Sequence, residues 1–150
     1  MKLKGIFILV ACAALVSGCD RYRVTLNDRL VSEPPPLLKG FEIADIALDT
    51  CIHQAITDRA IRRVNELETL ICSHAGISSL DGIEFFSNLQ TINLANNALT
   101  SIEPLLFLGG LQSVNLENNP ALNCDHVNKL ADQLPQTGTF VYPEHCAAQQ

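Results

Sequence analysis

Leu67-Glu-Thr-Leu70-Ile-Cys72, Leu89-Gln-Thr-Ile92-Asn-Leu94 and Leu111-Gln-Ser-Val114-Asn-Leu116 follow one another at an interval of 22 residues. The same offset sets Asn97 over Asn119, Ile77 over Leu99, Leu80 over Ile102, Ile83 over Leu105 and Phe86 over Leu108. A gapless register through two units and into a third marks a repeat array, in which each unit buries its apolar side against the next. Inside the first stretch, inward Leu70 and Cys72 alternate with outward Ile71 and Ser73, which is strand periodicity. The Asn at the ninth place of a unit carries an amide suited to bonding backbone groups where the chain leaves the strand. Ala75 takes that place in the first unit, which is therefore atypical, as a terminal unit covering a core edge is expected to be.

The pattern L-x-x-L-x-L-x-x-N-x-L resembles the leucine-rich repeat family. The 22-residue length, with Ile and Leu on the return path, resembles its short internalin-like bacterial subclass. This resemblance spans residues 41–146, tightest in 67–120. It implies an α/β solenoid with parallel strands on the concave face, an N-terminal helical cap and a C-terminal helical cap. The flanking sequence agrees. Phe41, Ala44, Ala47, Leu48, Cys51, Ile52 and Ala55 recur at helical spacing, which predicts an amphipathic helix over 41–56. After the repeats, Asp125 is placed to cap a helix carrying Val127, Leu130, Ala131 and Leu134, which Pro135 stops.

The chain begins with Lys2 and Lys4, an apolar run from Ile6 to Val16 too short to span a bilayer, and Leu15-Val16-Ser17-Gly18-Cys19. Small residues directly before a Cys resemble a bacterial lipobox, which implies cleavage before Cys19 and lipidation of its thiol. Asp20 at the following place resembles the signal that keeps enterobacterial lipoproteins at the periplasmic face of the inner membrane, the outer membrane being the alternative. The segments expected are a lipoprotein signal peptide (1–18), a lipid-anchored tether (19–40), an N-terminal cap (41–66), leucine-rich repeats (67–122) and a C-terminal cap with tail (123–150). Pro34-Pro35-Pro36 favours a stiff, extended tether, whose 21 residues from Asp20 to Gly40 reach at most about 70 Å.

Of six Cys, Cys12 leaves with the signal and Cys19 is taken by lipid, so Cys51, Cys72, Cys124 and Cys146 remain. An even remainder in an exported chain predicts two disulfides, and sequence proximity favours Cys51 with Cys72 and Cys124 with Cys146. A competing reading is zinc held by Cys124, His126, His145 and Cys146, but neither half has C-x2-C spacing. No metal and no cofactor are expected.

A formal charge of -6 argues against binding to a polyanion, so nucleic acid is not an expected partner. Removing residues 1–18 would leave 8 basic against 16 acidic residues. No phosphate loop, G-x-S-x-G or H-E-x-x-H motif is present. A hydrolase using His74 with Glu117 is the weak enzymatic alternative, and no small-molecule substrate is expected. The favoured function is a membrane-anchored periplasmic protein-binding module. Its rival is a structural or accessory envelope lipoprotein without a ligand of its own. Two surfaces compete as the binding site: the outward strand positions Thr91, Asn93, Ser113, Asn115 and Glu117, and an apolar edge of Phe85 and Phe107, which share one place in the repeat.

The strand register makes a direct prediction. Leu94→Ala should cost about 2 to 5 kcal/mol by emptying the centre of the middle repeat, and the outward Asn93→Ala under about 0.5 kcal/mol. Urea denaturation of both variants checks it. Equal losses would mean a register slip of one residue.

Overall fold

The computed structural model describes residues 25–26, 29–30 and 36–147. They fall into two units, Met1–Pro35 and Pro36–Gln150. In the first, β1 (Thr25–Leu26) and β2 (Arg29–Leu30) pair antiparallel, with Thr25 opposite Leu30 and Leu26 opposite Arg29. This pairing departs from the simple extension expected of the tether. Leu37 and Leu38, near the end of the expected tether, pack on the core of the second unit, and the Leu38 N–H donates to Ile61 O at 2.9 Å. Two leucines with core to cover do not stay in solvent. Among the described residues no helix is long and apolar enough to cross a membrane.

The second unit runs α1 (Ile46–Asp58), β3 (Thr69–Ile71), β4 (Thr91–Asn93), β5 (Ser113–Asn115), α2 (Cys124–Gln133), β6 (Thr139–Val141) and α3 (Glu144–Ala147). The strands form one parallel sheet in the order β3-β4-β5-β6, with Leu70, Ile92, Val114 and Phe140 in register. The fourth strand lies beyond the repeats and was not anticipated from the sequence. The first two repeats return through a 3-10 turn, Ile83–Phe85 in one and Glu103–Phe107 in the next, burying Ile83 and Leu105. The inward column of Leu70, Ile92 and Val114, with Cys72, Leu94 and Leu116 behind it, is buried throughout. The 22-residue period is written in the backbone as well: His74, Asn96 and Asn118 all adopt positive φ, at 58°, 59° and 53°. Asn tolerates this region better than most side chains.

Burying these turns strands polar backbone groups, and the ninth-place Asn receives them. Asn97 Nδ2 donates to Cys72 O and Leu94 O, both at 2.8 Å, while its Oδ1 accepts from Ala75 N and Ile77 N. Asn119 repeats the arrangement one unit on, with Nδ2 donating to Leu94 O at 2.9 Å and Leu116 O at 3.0 Å, and Oδ1 accepting from Leu99 N. Each Asn thus serves its own repeat and the preceding one. The first repeat has none before it, so a ninth-place Asn there would lack those partners, which accounts for Ala75.

The helix expected over 41–56 is shorter at its start and longer at its end. Asp45 is not within it but caps it, its Oδ1 accepting from Ala47 N and Leu48 N at 2.9 and 3.0 Å. Phe41 and Ala44 therefore precede the helix, which continues to Asp58 and buries Leu48, Ile52 and Ile56. The C-terminal helix differs likewise: Asn123, not Asp125, is its N-cap, accepting from Asp125 N at 2.8 Å. Both elements are fastened by sulfur. Cys51 of α1 bonds Cys72 after β3, and Cys124 at the start of α2 bonds Cys146 of α3, with S–S separations of 1.94 and 2.08 Å.

Asp45 ties α1 to the first repeat. Its Oδ2 accepts from Ser78 N and Ser78 Oγ, both at 2.8 Å, and from Ser79 N at 3.1 Å. Partial burial pushes its pKa up, but donation from Leu48, Ser78 and Ser79 outweighs this and holds the carboxyl down at about 2, against 3.8 ordinarily. A lowered folded pKa stabilises the fold above the unfolded value, and the gain disappears as the pH falls from 3.8 through about 2. Asp45→Asn should therefore lose stability at pH 7 and show a flatter decline below pH 4 than the parent, measured as urea midpoints across that range.

Gly82 marks a second junction. Its φ is +95°, and a Cβ there would sit 2.5 Å from Glu42 O, so backbone meets backbone. Gly82→Ala should cost about 1 to 2 kcal/mol for the left-handed conformation alone, with the clash in addition. Gly109, whose Cβ would meet nothing within 4 Å, should accept Ala within about 0.5 kcal/mol. Thermal unfolding of the pair checks the contrast.

Candidate functional site

The outward positions of the sheet form two rows. Strand register aligns Thr69, Thr91, Ser113 and Thr139 as a line of hydroxyls, and Ile71, Asn93, Asn115 and Val141 beside it. Side chains two residues apart on a strand share a face, so both rows look the same way. The expected residues Thr91, Asn93, Ser113 and Asn115 are thus brought together at the centre of a four-stranded surface. The sequence suggested three strands; β6 adds Thr139 and Val141.

The two amides are oriented. Asn93 Oδ1 accepts from Ala95 N at 3.0 Å, and Asn115 Oδ1 accepts from Glu117 N at 2.9 Å. Their carbonyl ends are engaged in local turns, while among the described residues neither Nδ2 donates to a protein partner. The surface therefore offers two aligned amide donors next to hydroxyls that both donate and accept. Because Asn93 holds the Ala95 N–H, Asn93→Ala should cost about 1 kcal/mol rather than the smaller loss expected of an idle side chain. Leu94 remains the costlier of the two neighbours. Ala95, two residues beyond Asn93, is only 4% exposed. Glu117 is exposed beside the rows.

An apolar groove adjoins the rows. It lies between α1 and β3, has a volume of about 800 Å³, and is lined by Ile46, Ala47, Cys51, Ala55, Ile71 and Ala75, with Thr50, Gln54, Asp58 and Arg59 also along it. Arg59 Nη1 donates to Thr69 O at 2.6 Å and fixes that end. Ile46 is 83% exposed and Ile71 50% exposed, both large apolar side chains left open to solvent. Sequence reasoning missed the groove. The available signal was Ile71, which stands where the next two repeats carry Asn93 and Asn115.

The alternative edge is divided. Phe85 joins an aromatic cluster with Phe41 and Phe86, at centroid distances of 6.1 and 5.4 Å. Phe107 is 78% exposed and meets no other ring among the described residues. It borders a pocket of about 530 Å³ with Asp81, Glu84, Ser101, Glu103 and Pro104. Phe85 and Phe107 occupy equivalent places, but the segment carrying Phe41 reaches only the first, so the pair does not form a continuous ladder.

The sulfur ligands suggested for zinc lie close together. Ligand atoms of Cys124, His145 and Cys146 fall within 4.8 Å of one another, but the two sulfurs are bonded to each other. His126 is not part of the group, and its Nε2 lies 3.7 Å from Glu103 Oε1. His74 and Glu117 share no contact among the described residues; the His74 N–H donates to Ala95 O instead. Cys19 and Asp20 lie outside the described residues.

Residues 65–106 match the family model for leucine-rich repeats in two copies. No curated protein sequence matches the chain. Among solved structures, the chain is similar to the CBM51-2 and INT domains of ZmpB from Clostridium perfringens, at 24% identity with a TM-score of 0.45, over 57% of this chain and 18% of that one. It is also similar to an internalin (inlF) from Listeria monocytogenes, at 22% identity with a TM-score of 0.41, over 53% of this chain and 28% of that one. The chain thus spans less than a third of either protein's length. Over residues 65–106 the chain therefore resembles leucine-rich repeats in sequence, and its strands there stack in parallel register at the repeat interval.

Proposed function

We propose that the chain is a non-enzymatic protein-binding module, attached to a membrane through lipid on Cys19, with its domain at the periplasmic face of the inner membrane as Asp20 favours. The observation that carries the binding role is the pair of aligned rows on the sheet. Hydroxyls and outward amide donors are held rigidly by four hydrogen-bonded strands, in a strip where no strand position of either row bears an ionisable group. Such a surface reads hydrogen-bond geometry rather than charge. Stacked repeats commonly present partner-binding surfaces of this kind.

Size sets a condition. Four strands about 4.8 Å apart give a few hundred Å², below the roughly 800 Å² per partner of a standard interface. The partner therefore reaches past β3 into the groove beside α1, where Ile46 and Ile71 supply apolar area that the rows lack.

Two charge insertions test this reading. Asn93→Arg with Asn115→Arg should reduce partner capture from crosslinked envelopes at least tenfold while circular dichroism shows the fold intact. Phe85→Ser with Phe107→Ser should leave capture unchanged. The reverse pattern would move the site to the aromatic edge, and indifference to both pairs would favour a structural envelope role. The anchor is tested separately: Cys19→Ser should abolish incorporation of labelled palmitate, and unchanged labelling would remove the lipid from the proposal.

A further inference from the structure

We infer that reduction of the Cys124–Cys146 disulfide converts the corner between α2 and α3 into a zinc site, with Cys124 Sγ, Cys146 Sγ and a ring nitrogen of His145 as ligands. The three ligand atoms already lie within 4.8 Å of one another. Neighbouring ligands around tetrahedral zinc sit about 3.5 to 3.8 Å apart, given Zn–S near 2.3 Å and Zn–N near 2.0 Å. With the two Cα atoms 5.2 Å apart, side-chain rotation is enough to reach that spacing.

The surroundings favour the metal-binding form of each ligand. His145 Nε2 lies 2.9 Å from Leu122 O, and since a carbonyl only accepts, Nε2 carries the proton and Nδ1 keeps its lone pair. A zinc-ligating imidazole usually donates its other ring N–H to just such a backbone carbonyl. Cys124 is the first residue of α2, where the helix N-terminus favours a thiolate. Cys146 is fully buried and His145 exposed, so the ion enters from the imidazole side and water completes its coordination. Among the described residues this is the one group of three close ligands, and the Cys51–Cys72 pair has no counterpart to His145.

The chemistry balances through a dithiol reductant. Thiol–disulfide exchange breaks the protein S–S bond, the dithiol leaves as its own disulfide, and Cys124 and Cys146 each gain a hydrogen. Zinc then displaces one proton from each thiol on binding. The ion takes over the link between α2 and the C-terminal tail, so that corner stays tied in a reducing setting.

The full chain, reduced with a phosphine that becomes its oxide at the expense of water, should bind one Zn²⁺ in competition with a chromogenic chelator. With Co²⁺ it should show a thiolate-to-cobalt charge-transfer band. The non-reduced chain should do neither. His145→Ala should weaken binding at least tenfold, whereas Cys51→Ser with Cys72→Ser should leave it unchanged. If reduction unfolds the domain, Zn²⁺ should restore its circular dichroism. Equal binding by the non-reduced chain, no effect of His145→Ala, dependence on Cys51 and Cys72, or failure of zinc to restore a lost fold would each overturn the assignment.

Discussion

A backbone that reverses direction within every 22 residues brings amide and carbonyl groups into an apolar interior, where each unpaired group costs about 1 to 3 kcal/mol. Asn97 and Asn119 remove that cost. A carboxylate would supply acceptors alone and a lysine donors alone; an amide supplies both, and each of these reaches back to the preceding repeat. Stacking, strand register and burial of the leucine columns all presuppose that these polar groups are satisfied. The two Asn side chains are the buried polar residues among the described ones, at 7% and 0% exposure.

The same requirement explains how the array ends. At the first repeat the preceding unit is replaced by α1, and Asp45 takes on a comparable task, accepting from the helix N-terminus with one oxygen and from Ser78 and Ser79 with the other. At the other end, β6 pairs with β5, and Val141 O accepts the Leu116 N–H that would otherwise lie open. Each boundary is further held by a disulfide, which constrains the unfolded chain over a loop of about 20 residues and contributes roughly 3 kcal/mol in the chain-entropy view.

Function follows from what this scaffold leaves on its outer side. Inward positions are fixed by packing, so chemical freedom is confined to alternate residues on short strands and to the junction with α1. At the strands the result is hydroxyl and amide; at the junction it is aliphatic. A polar strip continuous with an apolar groove suits a protein partner, for which the strip supplies directional bonds and the groove supplies desolvation.

The repeat interval, the inward columns, the ninth-place Asn and the pairing of four cysteines were legible in sequence because each is a matter of periodicity or proximity along the chain. Leu70, Leu94 and Asn97 carry their roles in their spacing alone. The helix boundaries were not, since caps depend on which carboxylate or amide meets free N–H groups in space: Asp45 and Asn123 lie just outside the helices they start, and Asp45 is drawn there partly by Ser78, 33 residues away. Strand β6 was hidden because Thr139-Phe-Val141 has no repeat signature and becomes a strand by completing the hydrogen bonding of β5. The groove was hidden for a similar reason: Ile46 and Ile71 are 25 positions apart, and only the docking of α1 on β3 places them on one surface. Phe85 and Phe107, equivalent by period, were separated by tertiary structure, because Phe41 stacks against the first, which stays 45% exposed, and leaves the second without a ring partner among the described residues at 78% exposed.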